Sequence, residues 1–361
     1  MESLRIAIDA SRTTVARVTG TERYALELIQ GIIRHNTSHE ISLYFRDTPP
    51  DGLFPHSEQI KLKVIPFRRA WTHIRFAAEL WRDRPDVTFV PAHTLPFLFP
   101  GKSLVTVHDL GYKLFSEAHP LKQRIYLDQT TRYSARRASL ILTDSQATSD
   151  DLAKYYGTAP GKIRVIYPGV DAPAINNIDI RSKYGLPQQY FLFIGTLQPR
   201  KNIANIVKAY SKYRTLAENP VGLVLAGGKG WLYDESWVVD VDGVYLPGYI
   251  DENDKGTLYS KALALIFPTL YEGFGFPVLE SMLCKTPVIA SNTSSLPELV
   301  GDAGLQVDPL NIDEIANAMC EMVANTDLRT DLVDRGYTQA RKFTWDKAAK
   351  QTLAAFEEIG R

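Results

Sequence analysis

Glu272 and Glu280 stand eight positions apart in the stretch YEGFGFPVLE (271–280), with Gly273, Phe274, Gly275 and Pro277 between them and no cation. Proline suits the first turn of a helix, so the stretch reads as a glycine-rich turn running into an apolar helix. With Pro277 as the first helical residue, Glu280 lies about one turn in. Open amides ahead of a helix attract anions, phosphate in particular. Carboxylates accept paired hydrogen bonds from sugar hydroxyls. A nucleotide sugar presents both groups. A glutamate in a first helical turn also serves the helix dipole with no ligand at all.

A second stretch, FIGTLQPRKNI (193–203), places Arg200 and Lys201 where a strand has ended and a helix is about to begin near Asn202. Cations there oppose the helix dipole. A bound pyrophosphate would remove the conflict; a solvated basic loop accounts for the same residues. His108 in TVHDL (106–110) falls at the end of a buried strand, where it would bind hydroxyls, move protons or simply pack. Gly20 in ARVTGTERYALEL (16–28) follows the first strand, at a point where a chain can approach a ligand closely or merely turn. Asp240 and Asp242 in DVDG (240–243) have metal-ligand spacing but no accompanying ligands, and we read them as a turn. With no HExxH and no His/Cys cluster, no metal site and no cofactor are expected. Cys284 and Cys320 lack CxxC spacing and read as buried, reduced thiols.

Short apolar runs that alternate with helical stretches must position these residues. The first half holds LRIAID (4–9), ISLYF (41–45), VTFVPA (87–92), SLVTVHD (103–109), LILTDS (140–145) and IRVIYPG (163–169). The second holds YFLFIG (190–195), GLVLAGG (222–228), GVYLPG (243–248), ALIFPT (264–269) and TPVIAS (286–291). Continuous apolar strands are buried on both faces, as in parallel sheets covered by helices. The pattern predicts an α/β chain of two doubly wound parallel-sheet domains. The Pro-, Asn- and Asp-rich stretch 168–187 divides it into 1–170 and 171–342. Ligands are expected in a cleft between the carboxyl ends of the two sheets. The final stretch, 343–361, predicts an amphipathic helix, with Thr344 as cap and Ala348, Leu353, Phe356 and Ile359 on its apolar face.

The 361 residues are 45% hydrophobic and 23% charged, with zero formal net charge. Residues 1–168 carry 23 Lys and Arg against 17 Asp and Glu, and the remainder 18 against 24. That asymmetry is too mild for a nucleic-acid binder. The apolar runs are too short to span a bilayer, and the opening MESLRIAIDAS does not read as a signal peptide. The expected location is cytoplasmic. The basic, aromatic stretch 67–84 places Trp71, Ile74, Ala78 and Trp81 at helical spacing. We read these as core; a peripheral membrane or acceptor contact through the N-terminal domain is the alternative.

Nearly end to end, the sequence resembles glycosyltransferase family 4, which has the GT-B fold of two Rossmann-like domains. The segment 271–309 resembles the family's donor-site signature with its E-x7-E, and FIGTLQPRKNI its phosphate loop. VTVHDL, LILTDSQATSDDL (140–152) and VIYPGVD (165–171) resemble its N-terminal landmarks. The resemblance implies that Arg200 and Lys201 neutralise the donor diphosphate and that Glu280 binds the ribose. Glu272 and the Gly273–Phe274–Gly275 amides would hold the transferred sugar, while Gly20 and His108 close the site from the N-terminal, acceptor-side domain. Residues 171–342 would bind the donor, and the final helix would cross back to the first domain. One departure stands out: where many members have an arginine directly after the loop glycine, this chain has Thr196, and Arg200 is its nearest substitute.

The implied activity is metal-independent, retaining transfer of a hexose from a nucleotide diphosphate sugar to a glycan or lipid-linked glycan. GDP-mannose is the first donor to consider. Glu272 is the only candidate nucleophile, yet its implied task is to bind hydroxyls, so front-face attack with the leaving diphosphate stabilised by Arg200 and Lys201 is the expected route. The rival readings are a nucleotide-sugar epimerase on the same fold and a nucleotide-sugar-binding subunit without turnover.

Overall fold

The computed structural model describes residues 3–15, 20–115, 120–230, 232–239 and 241–360. Asp240 therefore lies outside the described residues. The chain forms two compact units.

Unit 1 is built on residues 1–114, 120–169 and 344–361. Its strands are β1 (Arg5–Asp9), β2 (Glu40–Phe45), β3 (Ile60–Val64), β4 (Val87–Val90), β5 (Lys102–Val107), β6 (Leu140–Thr143) and β7 (Ile163–Val165). They pair in parallel in the order β3-β2-β1-β4-β5-β6-β7. Its helices include α1 (Gly20–His35), α2 (Ala77–Asp83), α3 (Gly111–Leu114), α4 (Leu121–Arg137) and α5 (Gln146–Tyr156). The order reverses between β1 and β4, which opens a crevice at the carboxyl ends of those two strands.

Unit 2, built on Val170–Phe343, repeats the pattern. Strands β8 (Tyr190–Ile194), β9 (Gly222–Ala226), β10 (Val244–Gly248), β11 (Ala264–Phe267), β12 (Val288–Ser291) and β13 (Leu305–Val307) pair in parallel as β10-β9-β8-β11-β12-β13. Helices α6 (Ile180–Tyr184), α7 (Ile203–Leu216), α8 (Lys255–Ser260), α9 (Phe276–Leu283), α10 (Leu296–Val300), α11 (Ile312–Ala324) and α12 (Thr326–Ala340) accompany them. Every residue of β8, β9, β11 and β12 is buried, the burial on both faces that continuous apolar strands require. The reversal here falls between β8 and β11.

The last helix, α13 (Trp345–Gly360), belongs to unit 1. Thr344 Oγ1 accepts from the Lys347 amide at 3.2 Å and caps it. Ala348, Phe356 and Ile359 are buried, whereas Leu353 is only half-buried. Where the chain passes between units, the Val170 amide donates to the Phe343 carbonyl at 3.2 Å. Gly169 lies so close to the start of α13 that a Cβ there would meet the Trp345 nitrogen at 2.1 Å.

Three readings need correction. Strand β3, IKLKV, escaped notice because its lysines interrupt the apolar run, as suits a sheet edge; β13 has only three residues. The stripe Trp71, Ile74, Ala78, Trp81 is not one core face. Trp71 is buried, but Ile74 is 55% and Trp81 51% exposed, and Ala78 is exposed too. A π-helical turn at Thr72–Phe76 precedes α2 and adds a residue to the turn. The buried face becomes Trp71, Phe76, Ala77 and Leu80. Cys284 is buried and Cys320 half-buried; both are free thiols.

Candidate active site

Arg200 and Lys201 occupy a 3-10 turn, Pro199–Lys201, just beyond the carboxyl end of β8. Asn202 follows with φ +64°, a left-handed conformation asparagine tolerates better than most residues. Its side-chain amide donates to the carbonyls of Pro268 (2.9 Å) and Pro309 (2.7 Å). That double tether fixes the turn against the loops leaving β11 and β13. The β11 loop carries Tyr271 and Glu272, so the cations and the acid meet at the point where the strand order reverses.

Lys201 Nζ donates to Glu272 Oε1 at 2.6 Å. Arg200 Nη1 donates to Glu272 Oε2 at 3.3 Å and to the Tyr271 carbonyl at 2.5 Å. All three side chains are largely buried, with exposures of 17% for Arg200, 13% for Lys201 and 9% for Glu272. Lys201 also lies 5.3 Å from the centre of the Phe267 ring, a cation–π distance. Burial by itself would raise the Glu272 carboxyl, but the charges of Lys201 and Arg200 outweigh it and hold its pKa below the usual carboxylate range. The clash between these cations and the helix dipole is thus already balanced by Glu272 within the protein.

The glycine turn is held from behind. The Glu272 amide donates to Ser294 Oγ at 3.0 Å, and the Ser295 hydroxyl donates to the carbonyls of Glu272 and Phe274. Gly273, Phe274 and Gly275 are all buried. Among the described residues their three amides have no hydrogen-bond acceptor. Buried amides without acceptors are rare, and these three immediately precede a helix. Gly275 has φ +126°, and a Cβ there would meet Leu296 Cδ2 at 2.6 Å, so the turn requires glycine. The helix begins at Phe276, with Pro277 second. Glu280 is buried in its second turn and accepts from the Tyr259 hydroxyl at 3.0 Å. Burial, then the neighbouring Glu280 charge, pushes the Tyr259 phenol well up, so it remains a donor. Thr196 is exposed directly after Gly195.

In unit 1, His108 follows β5 and Asp144 follows β6. The register of those strands pairs Val107 with Thr143, which brings the next residues together. His108 Nδ1–H donates to Asp144 Oδ2 at 2.6 Å, and Nε2–H donates to the Pro91 carbonyl at 3.2 Å. A carbonyl can only accept, so Nε2 carries a proton, while Nδ1 and the Asp144 carboxyl, itself raised by burial, hold the second proton between them. Burial opposes charge on the ring, but Asp144 more than offsets it and the His108 pKa is raised. With both nitrogens engaged, the His108 ring is fixed in place and shares its charge with Asp144. The Tyr24 ring meets it edge to face at 4.7 Å. Gly20 is exposed and opens α1. Asp242 is 92% exposed as a side chain. Among the described residues, no group of three His, Cys, Asp or Glu is placed to hold a metal.

Sequence reasoning singled out the two cations and two acids but not their supports. Asn202, Ser294, Ser295, Tyr259 and Asp144 were missed. Asp144 alone had a legible signal: LTDS and TVHD end neighbouring strands at the same level.

Comparison with known proteins places this geometry. Residues 18–172 match the Glycosyltransferase Family 4 model, and residues 176–339 match the model for glycosyl transferases group 1. The O-antigen chain mannosyltransferase B of Escherichia coli is 30% identical over 94% of this chain and 96% of its own. A serotype-specific mannosyltransferase of Escherichia coli is 25% identical over 92% of this chain, which spans 44% of that longer protein. Among solved structures, sucrose-phosphate synthase from Thermosynechococcus elongatus superposes with a TM-score of 0.77 at 21% identity, covering 99% of each chain. Anabaena HepE in complex with UDP-glucose does so with a TM-score of 0.71 at 15% identity, covering 98% of this chain and 100% of that one. These likenesses show the GT-B fold, and the sequence matches show that the chain belongs to the family 4 glycosyltransferases and is a transferase enzyme.

Proposed function

We propose that the enzyme transfers mannose from GDP-mannose, with retention of configuration, to a glycan or lipid-linked glycan of a surface polysaccharide. The observation that carries the reading is the buried Glu272–Lys201–Arg200 cluster at the sheet reversal of unit 2, beside three turn amides that have no acceptor among the described residues. Mannose and the polysaccharide acceptor are supported by the similarity to the O-antigen mannosyltransferase.

A lysine has three N–H donors and an arginine five. Contact with Glu272 leaves most of these for the diphosphate, and the turn amides add more. The acceptor hydroxyl attacks the anomeric carbon on the face the diphosphate leaves, and its proton passes to the departing phosphate oxygen. Negative charge grows on that diphosphate, so fixed cations and amides stabilise the transition state more than the ground state. Both Glu272 oxygens already face cations, which makes this carboxylate a poor nucleophile and favours front-face attack. Its work is to orient the cations and hold sugar hydroxyls. The chain's own residues supply all the charge this route needs.

Glu280 is assigned to the ribose. Calorimetry should show Glu280→Ala binding GDP at least about tenfold more weakly, the worth of one well-placed hydrogen bond, with the melting transition retained. Unchanged affinity would remove the ribose assignment. Tighter binding of UDP than of GDP by the wild type would overturn the donor.

Among the described residues no helix is long and apolar enough to cross a membrane. A lipid-linked acceptor would be met at a membrane surface, and unit 1 has a face suited to anionic lipid. Ile74, Trp81, Phe97, Leu98, Leu121 and Ile125 are exposed. Trp81 Nε1 donates to the Leu98 carbonyl at 3.0 Å, and His73 stacks on Phe97 at 4.1 Å while bonding Tyr126. The stretch 67–84 has five cations against two acids, and α4 five against one. The first turn of α4 has no acid. Apolar side chains among cations are the composition of an interfacial surface. The protein should co-sediment with phosphatidylglycerol vesicles, less with phosphatidylcholine, and Ile74→Ser/Trp81→Ser should release it. Equal binding to both lipids, or no loss in the double variant, would refute this.

A further inference from the structure

We propose that His93, rather than His108, is the imidazole of unit 1 that hydrogen-bonds a hydroxyl of the acceptor glycan. His93 stands just beyond the carboxyl end of β4, at the crevice where the strand order reverses between β1 and β4. This is the place in an open parallel sheet where ligands bind. The inference rests on the glycan-transfer reading above.

Two considerations separate the two histidines, and the first is hydrogen bonding. His108 has no ring nitrogen to offer, because Asp144 and the Pro91 carbonyl take both. His93 is the reverse case. Among the described residues its Nδ1 is sealed from water and has no hydrogen-bond partner. Its main-chain carbonyl is tied down, accepting from Ser134 Oγ at 2.9 Å. A buried polar atom without a partner needs an explanation. A hydroxyl entering the crevice supplies one, since after a small ring rotation it can either donate to the bare nitrogen of a neutral ring or accept from the N–H.

The second consideration is charge. The His93 and His108 rings lie 5.5 Å apart at 65°. The His108 pKa is raised by Asp144, Arg12 follows β1 nearby, and Asp109 opposes them in part; Tyr24 packs on the far ring and Asp144 lies behind it. Burial first, then the His108 and Arg12 charges against the Asp109 charge, push His93 down to about 4. At neutral pH the ring is therefore uncharged, and a neutral imidazole keeps one donor and one acceptor. Either nitrogen can therefore meet a sugar hydroxyl, as donor or as acceptor, whereas an imidazolium could only donate. His108 thus acts through His93 as a positioning residue that keeps its neighbour neutral.

The test uses full-length protein labelled with 15N-histidine. His93 should show a neutral imidazole from pH 6 to 8 while His108 keeps Nε2 protonated. Adding methyl α-mannoside should move the His93 nitrogens and leave His108 in place. In turnover assays His93→Ala should lower acceptor kcat/KM about tenfold or more with donor KM unchanged. His93→Gln, which retains a donor and an acceptor, should recover most of that loss. A panel of methyl glucoside, galactoside and N-acetylglucosaminide separates this inference from the donor and acceptor reading. If one of these shifts His93 and the mannoside does not, the mannose reading falls and the His93 assignment stands. A charged His93 at pH 7, a shift on GDP-mannose alone, no shift with any glycoside, or equal losses in the Ala and Gln variants would overturn the proposal.

Discussion

Lys201→Ala should lower kcat by about 10²–10³, the usual cost of removing one donor aimed at developing charge in a water-poor site. Its donor KM should rise much less. The reason is that the lysine's partner changes in strength during the reaction. In the bound donor the charge is spread over the diphosphate; in the transition state more of it reaches the leaving oxygen, and a fixed cation gains there. Lys201 is fixed: it is 13% exposed, lies over the Phe267 ring and is held by Glu272 at 2.6 Å. An exposed lysine making a surface pair would cost almost nothing when lost. Lys201→Arg should recover only part of the rate, since a planar fork does not replace a compact ammonium. Arg200→Ala should fall in the same direction, and Thr196→Arg/Arg200→Ala should regain some activity if the guanidinium can work from either place. Near-wild-type kcat in Lys201→Ala would show that the diphosphate is met elsewhere.

The second large effect concerns stability. Glu272→Ala should destabilise the protein by about 3–5 kcal/mol, because it strands two mostly buried cations without their counter-charge. Glu272→Gln should cost less, since it keeps a polar oxygen in place. The pH dependence has a definite sign. The carboxyl of Glu272 is depressed in the folded state, so the folded form holds the ionised group better than the unfolded chain does. Its contribution is complete above the unfolded value of about 4.5 and disappears as the pH falls through the lower folded value. Urea titrations stepped down from pH 7 to below about 4.5 check this: wild type's margin over Glu272→Gln should shrink as the pH falls. A margin unchanged across that range would mean that the carboxyl is not held as an ion.

Most strands were legible because parallel sheets bury both faces and need unbroken apolar runs, as YFLFI and ALIF show. The lysine-bearing edge β3 lacked that mark. The face of residues 67–84 could not be read because spacing arguments assume 3.6 residues per turn, and the π turn at Thr72–Phe76 breaks the assumption. At the site, the chemistry-bearing residues could be named one by one. Their association could not, since Lys201 and Glu272 are 71 positions apart and meet only because β8 and β11 are neighbours. Supports such as Asn202 and Ser295 carry ordinary loop signatures and declare themselves only through the carbonyls they reach. His93 lies in the loop PAHTLP, which has no motif, and its orphaned nitrogen is a fact of packing.

The chain leaves unit 1 after Gly169 and returns at Thr344, and these two positions touch: a Cβ on Gly169 would lie 2.6 Å from the Thr344 carbonyl carbon. Apart from the short stretch 115–119, unit 2 is therefore a continuous guest inserted between these two positions of the host. A host whose cut ends already meet can be rejoined by one short peptide link without stretching. Insertion of whole domains is tolerated where ends lie close together. Residues 1–169 joined through a brief glycine linker to 344–361 should accordingly fold with α13 docked, and the same junction is where the second units of related enzymes could be exchanged. A fusion that stays unfolded would mean that the host depends on its guest for more than covalent continuity.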